Sequence, residues 1–119
     1  RLTLFVLNRF FLSCNRLADL GVEHLAFGLA KNSHLRRLSL ASNLIGPRGA
    51  IALAKALTKH PSMQLLDLGF VKATAAVGEH GNFIGDEGAE AMAAMLREND
   101  KLASLSVLHN YISQKGLNH

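Results

Sequence analysis

The stretch that decides the fold is Leu35–Leu57, which reads LRRLSLASNLIGPRGAIALAKAL. In its first half, Leu38 and Leu40 alternate with polar or small residues, the period of a strand with one buried face. In its second half the apolar residues recur at i, i+3, i+4 and i+7, which is one stripe of a helix; they are Ala50, Leu53, Ala54 and Leu57. The stretch therefore predicts one short strand, a turn and one helix.

The pattern occurs four times in the 119-residue chain. A copy lies 28 residues upstream, with Leu7, Phe10, Leu12, Asn15, Leu17, Gly21, Leu25, Ala26 and Leu29. A third copy begins 28 residues downstream at Met63, loses the register after Leu68, and resumes it 11 residues late at Asn82. A fourth copy begins at Leu102. A fixed period of this length is typical of proteins in which strand–helix units stack in a line.

The period predicts one domain made of repeats at about residues 7–34, 35–62, 63–101 and 102–119, the last incomplete. The third repeat would carry the 11-residue insertion near residues 71–81. Neither end shows a polar capping repeat, so we expect a fragment of a longer array. The alternative is a small complete protein whose ends are covered by self-association.

Polar and small residues recur at fixed places in each copy. We expect a buried ladder of amides that pair with backbone groups, formed by Asn15, Asn43 and Asn110. We expect close backbone approach at the turn into each helix, at Gly21, Gly49, Gly88 and Gly116. Pro47 fits a first helical position, and Asp19, Asp86 and Glu87 place carboxylates near positive helix ends.

These residues carry a family resemblance. The pattern L-x-x-L-x-L-x-x-N-x-L/I, followed by Gly-Ala and Leu-Ala-x-x-Leu, is clearest at Asn43–Ala50 and Asn82–Ala89. It resembles the leucine-rich repeat of the ribonuclease-inhibitor-like subclass, and equally the repeat regions of NOD-like receptors and Ran-GTPase-activating proteins. The resemblance implies an α/β solenoid with a parallel sheet on the concave side, helices on the convex side, and a protein-binding role. The single Cys14 and the net charge of +4 depart from the Cys-rich, acidic inhibitor and disfavour ribonuclease as a partner.

Strand geometry selects the candidate binding residues. Residues that flank the buried strand leucines point away from the core. They are Arg9, Phe11, Arg37, Ser39, Leu65, Asp67, Ser104 and Ser106, with Ser13, Ala41, Gly69 and Leu108 next along. Phe11 beside Arg9 and Arg37 is the best anchor, because aromatic and Arg side chains dominate interface energetics; the alternative is that a preceding repeat covers Phe11. The loop at residues 70–82, with Glu79 and His80, is a second candidate, and a tolerated surface insertion is its alternative.

Other chemistry is disfavoured. The six histidines and Cys14 lack metal-ligand spacing, so we expect no metal and no cofactor. No base accompanies the serines, so we expect no enzyme. Residues 1–60 carry +7 and residues 61–119 carry −3, but no nucleic-acid motif accompanies the basic half. His34 and His60 are expected at equivalent helix ends.

The leading hypothesis is a non-enzymatic scaffold that binds a protein partner through the concave sheet and the 70–82 loop. The alternatives are an architectural segment of a larger assembly and a regulator of a small GTPase. No membrane span is visible and one cysteine forms no internal disulfide, so we expect a cytoplasmic protein.

Overall fold

The computed structural model describes the backbone of residues 9–11 and residues 17–69, 81–107 and 110–113. Short strands and helices alternate along these residues, as the sequence predicts. In chain order they are β1 (Arg9–Phe11), α1 (Ala18–Leu29), β2 (Arg37–Ser39), α2 (Pro47–Leu57), β3 (Leu65–Asp67), α3 (Gly85–Glu98) and β4 (Ser104–Ser106).

The strands form one parallel sheet in chain order, β1-β2-β3-β4. Their central residues, Phe10, Leu38, Leu66 and Leu105, lie side by side in register. Paired residues are separated by 28, 28 and 39 positions in the sequence, so the third connection is the longest. Parallel neighbours need a crossover, and each helix supplies one. The curvature of a longer solenoid stays a prediction.

The core lies between the sheet and the helices. Leu38 and Leu66 from the strands and Leu53 and Leu57 from α2 are all 0% exposed and belong to one buried cluster. The apolar stripe predicted for α2 therefore faces the sheet. Truncating such a leucine to alanine costs about 2–5 kcal/mol. Leu38→Ala would thus remove a large part of the stability of a small domain.

A ladder of buried asparagines follows the strands. Asn82 makes four hydrogen bonds: Oδ1 accepts from the amides of Asn43 (2.8 Å) and Ile45 (3.0 Å), and Nδ2 donates to the carbonyls of Leu40 and Leu68 (both 2.9 Å). Asn110 repeats the arrangement towards Ile84 and Leu68, and Asn43 towards Leu17 and Ala41. The ladder is confirmed at Asn43 and Asn110, and Asn82 is a further member; Asn15 lies outside the described residues.

A second set of side chains pairs the turns between helix and strand. Asn32 Oδ1 accepts from the amides of His34 and Leu35, and Asn99 Oδ1 accepts from Lys101 and Leu102. In the repeat between them, His60 takes this place: its Nδ1 accepts from Ser62 (3.3 Å) and Met63 (3.1 Å). The predicted equivalence of His34 and His60 is wrong. Asn32 is the counterpart of His60, because each accepts from the amides two and three residues ahead.

His60 is held as a neutral imidazole. The ring is 4% exposed, and burial lowers its pKa from the ordinary 6.5, an effect that the nearby backbone of Asn32 and Leu29 partly offsets. Since Nδ1 accepts two hydrogen bonds, the proton of the neutral ring lies on Nε2. That nitrogen is buried and has no hydrogen-bond partner among the described residues.

The carboxylate of Asp19 joins one repeat to the next. Its Oδ1 accepts from the amides of Gly46 (2.7 Å) and Gly49 (2.9 Å) at the start of α2, so it stabilises the following helix rather than its own. Asp86 bonds in the same way to Ser113. Pro47 is the first residue of α2, as predicted.

Glycine allows close packing at this junction, but against side chains and not against backbone as the sequence analysis expected. A Cβ on Gly49 would lie 2.6 Å from Asp19 Oδ1 and 2.8 Å from Ile45 Cγ2. A Cβ on Gly88 would lie 2.6 Å from Ile84 Cβ. Gly116 lies outside the described residues.

Candidate protein-binding face of the sheet

The sheet register brings the predicted strand residues into two rows. One row contains Arg9, Arg37, Leu65 and Ser104, and the other contains Phe11, Ser39, Asp67 and Ser106. We call these two rows the sheet face. They flank the central row, whose Leu38 and Leu66 are buried in the core, so they occupy the side of the sheet away from the helices.

Exposure differs along the sheet face. Arg37 and Ser104 are exposed, while Leu65, Asp67 and Ser106 are half-buried. Ser39 is only 8% exposed, and Ala41 is 2% exposed, so these two residues offer much less surface than the sequence analysis expected. Ser39 is covered because it lies in the middle of the sheet beside Asp67, to which its hydroxyl donates at 3.5 Å.

Some predicted residues fall outside this description. The side chains of Arg9 and Phe11, the whole of Ser13 and Leu108, and the loop residues 70–80 with Glu79 and His80 lie outside the described residues. Gly69 is buried where the backbone ladder continues beyond the strands, as its carbonyl accepts from the amide of Ser42.

The carboxylate of Asp67 is fixed in place. Its Oδ1 accepts from the amide of Gly69 at 2.8 Å, and its Oδ2 accepts from Ser39. Arg37 lies one strand away, opposite Leu65, and forms no ion pair with any described residue. The face thus offers an unpaired cation, a half-buried leucine and an oriented carboxylate within two neighbouring strands.

The sheet face does not assemble known catalytic or metal chemistry within the described residues. Neither row contains an imidazole that could act as a base for a serine. No group of three or more His, Cys, Asp or Glu side chains among the residues that the structure describes could hold a metal ion. None of the described helices combines the length and apolarity that a membrane span needs.

One surface was missed by the sequence analysis. On the helix side, Leu20 and Phe27 of α1 are 62% and 68% exposed, although core apolar residues of the same helix are buried. A groove of about 600 Å³ lies next to α1 across α2, lined in part by Glu23, Arg48 and Lys55. Comparing the outward helix positions between copies would have revealed the two apolar residues.

Comparison with known proteins supports the repeat. The family model described as leucine-rich repeat matches residues 31–54 and 80–93. No curated protein matches the sequence at a significant level. Among solved structures, the fold is similar to the tropomodulin C-terminal domain of Caenorhabditis elegans, with a TM-score of 0.58 and 14% identity over 96% of this chain and 80% of that chain. At this identity the likeness shows the fold alone. The family match and the shared fold together support a leucine-rich repeat protein.

Proposed function

We propose that this chain is a non-enzymatic protein-binding module whose sheet face contacts the partner. In a longer stack this face becomes the concave wall, because the helix layer is wider than the strand layer. The 70–82 loop belongs to the proposal as a rim contact. Leucine-rich repeats generally mediate protein–protein interaction, and one observation carries the proposal for this chain: four parallel strands hold candidate side chains in two straight rows.

The construction of the face favours recognition. The asparagine ladder pairs the backbone around Leu40 and Leu68, directly after the strands, so the rows start from a fixed frame. Pre-ordered side chains lose little conformational freedom on binding. Arg37 is exposed and presents a planar guanidinium, the group most often found at the energetic centre of interfaces together with Trp and Tyr. We therefore expect an acidic side chain of the partner at Arg37.

Two further expectations belong to the same proposal. The 28-residue spacing between strands and helices of 11–14 residues support the ribonuclease-inhibitor-like subclass. A single cysteine is compatible with a reducing compartment and supports cytoplasmic localisation.

Site-specific photo-crosslinking tests the proposal. A photoreactive amino acid replaces Arg37 or Ser104 on the sheet face, and Ala94 on α3 serves as the matched helix-side control. We expect a discrete crosslinked protein from the first two positions and none from Ala94, with unchanged unfolding midpoints for all three variants. Equal crosslinking from both sides, or none from the sheet face, would support the architectural alternative. Faster GTP hydrolysis by a crosslinked GTPase would support the regulator alternative.

A further inference from the structure

The outward side of α1 carries an apolar stripe. Leu20 and Phe27 are 62% and 68% exposed, and they are two helical turns apart, about 10 Å along the axis. His24 lies between them and is exposed. Lys31 continues the stripe, with its ammonium 4.2 Å from the centre of the Phe27 ring.

Stacking of repeats does not account for this stripe. The residues of α2 that correspond to Leu20 and Phe27 are Arg48 and Lys55, and both are exposed. The corresponding residues of α3, Glu87 and Ala94, are exposed as well. These positions therefore point to solvent in the two helices that do have a preceding neighbour. A further repeat stacked before α1 would leave Leu20 and Phe27 uncovered.

The charge beside the stripe is positive. The outward positions of α2 hold Arg48, Lys55 and Lys59. Glu23 of α1 pairs with Arg48, with Nη2 to Oε1 at 2.9 Å, and Lys59 lies 3.4 Å from Glu98 of α3. Lys55 forms no ion pair with any described residue, and it lines the groove that runs next to α1.

We propose that the α1 stripe and the adjacent α2 cations form a second docking surface, which binds an acidic amphipathic helix of a partner protein. Two apolar side chains of that helix, about two turns apart, pack against Leu20 and Phe27. Carboxylates along one edge of the same helix lie over Lys55 and the other α2 cations, which orients the helix and speeds its association. This surface lies on the opposite side from the sheet face and does not depend on the function proposed there.

Two other occupants fit less well. An anionic membrane lying on the helix side would also meet Glu87, Glu90 and Glu98 of α3, which repel it. A second copy of the chain offers α3 as its acidic helix, but the outward positions of α3 between Glu87 and Glu98 hold Ala91 and Ala94. Alanines are too short to fill the space between Leu20 and Phe27, so little apolar area would be buried.

The test is selection of a displayed library of helical peptides against the intact chain, followed by affinity measurement with synthetic copies of the selected peptides. Phe27→Glu and Lys55→Glu are the test variants. Ala94→Glu, at the corresponding outward position of α3, is the matched control, and Arg37→Glu controls for the sheet face. All four positions are exposed, so circular dichroism and urea midpoints should remain those of the parent chain.

We expect peptides with two large apolar residues seven positions apart and a carboxylate edge. Their affinity should fall at least tenfold in Phe27→Glu and Lys55→Glu and stay within twofold in both controls. Selection of no helical peptide, or of peptides insensitive to Phe27 and Lys55, would overturn the proposal. Phe27-dependent sedimentation with phosphatidylserine vesicles, or a Phe27-dependent dimer in analytical ultracentrifugation, would overturn it in favour of a lipid surface or of self-association.

Discussion

Replacing His60 with asparagine should remove an acid sensitivity from the fold. His60 occupies the place that Asn32 and Asn99 hold in the neighbouring turns, where an amide oxygen accepts two backbone hydrogen bonds. Asn99 also donates from Nδ2 to the carbonyl of Leu57. An asparagine at position 60 can therefore keep both acceptor bonds of His60 and add a donor towards the preceding helix. It titrates nothing.

The size of the effect follows from proton linkage. The pKa of His60 is lowered in the folded chain, mainly by burial, whereas the unfolded chain keeps a value near 6.5. Below pH 6.5 the unfolded state therefore binds more protons, and stability falls as the pH is lowered until the folded pKa is reached. One such group costs at most about 1.4 kcal/mol per pH unit in that window. Above about pH 7.5 its contribution is constant, and His60→Asn should differ from the parent by no more than about 1 kcal/mol.

Urea unfolding followed by circular dichroism measures this at about pH 7.5, 6.5 and 5.5. We expect the difference between parent and His60→Asn to change in favour of the variant by up to about 1.4 kcal/mol between about pH 6.5 and 5.5. His34→Asn is the control, because His34 is exposed, and it should follow the parent at each pH. Parallel pH profiles for the parent and His60→Asn would refute the reasoning.

Two further substitutions probe the junctions between repeats, both by urea unfolding. Asn82→Ala removes four hydrogen bonds and leaves buried backbone groups unpaired, so it should cost about 3 kcal/mol or more, while Asn99→Ala, at a more exposed turn, should cost about 1 kcal/mol; equal losses would contradict the ladder. Gly49→Ala should destabilise by about 1–3 kcal/mol because Asp19 is held in place by its own hydrogen bonds, whereas Gly28→Ala meets nothing within 4 Å and should stabilise by up to about 1 kcal/mol. Equal effects would show that the junction is not tightly packed.

The repeat made much of this fold predictable from the sequence. Strand, turn and helix followed from the change of hydrophobic period within Leu35–Leu57, and the self-similar spacing placed Arg37, Leu65 and Ser104 in one row before any coordinates. Asn43 and Asn110 were identified as buried because an amide at a fixed place after each strand has a backbone partner in every copy.

Other features depend on contacts that a single repeat does not show. Asp19 looked like a residue of its own helix start, yet its hydrogen bonds go to the next helix, which only the stacking distance reveals. Ser39 was expected on an open face, and neighbouring strands cover it. His60 was aligned with the wrong residue because the spacing of histidines differs by two from the repeat period. Leu20 and Phe27 follow helical spacing, and spacing alone does not distinguish an outward stripe from a core stripe.

The central claim is that the sheet face recognises the partner, and the most direct test is the affinity of the crosslinked partner for sheet-face and helix-side variants. Isothermal titration of the parent, Arg37→Glu and Ala94→Glu should give at least a tenfold rise in Kd for Arg37→Glu, equivalent to about 1.4 kcal/mol or more, and no change for Ala94→Glu. Unchanged affinity in Arg37→Glu together with a loss in Ala94→Glu would place recognition on the helices and contradict the claim.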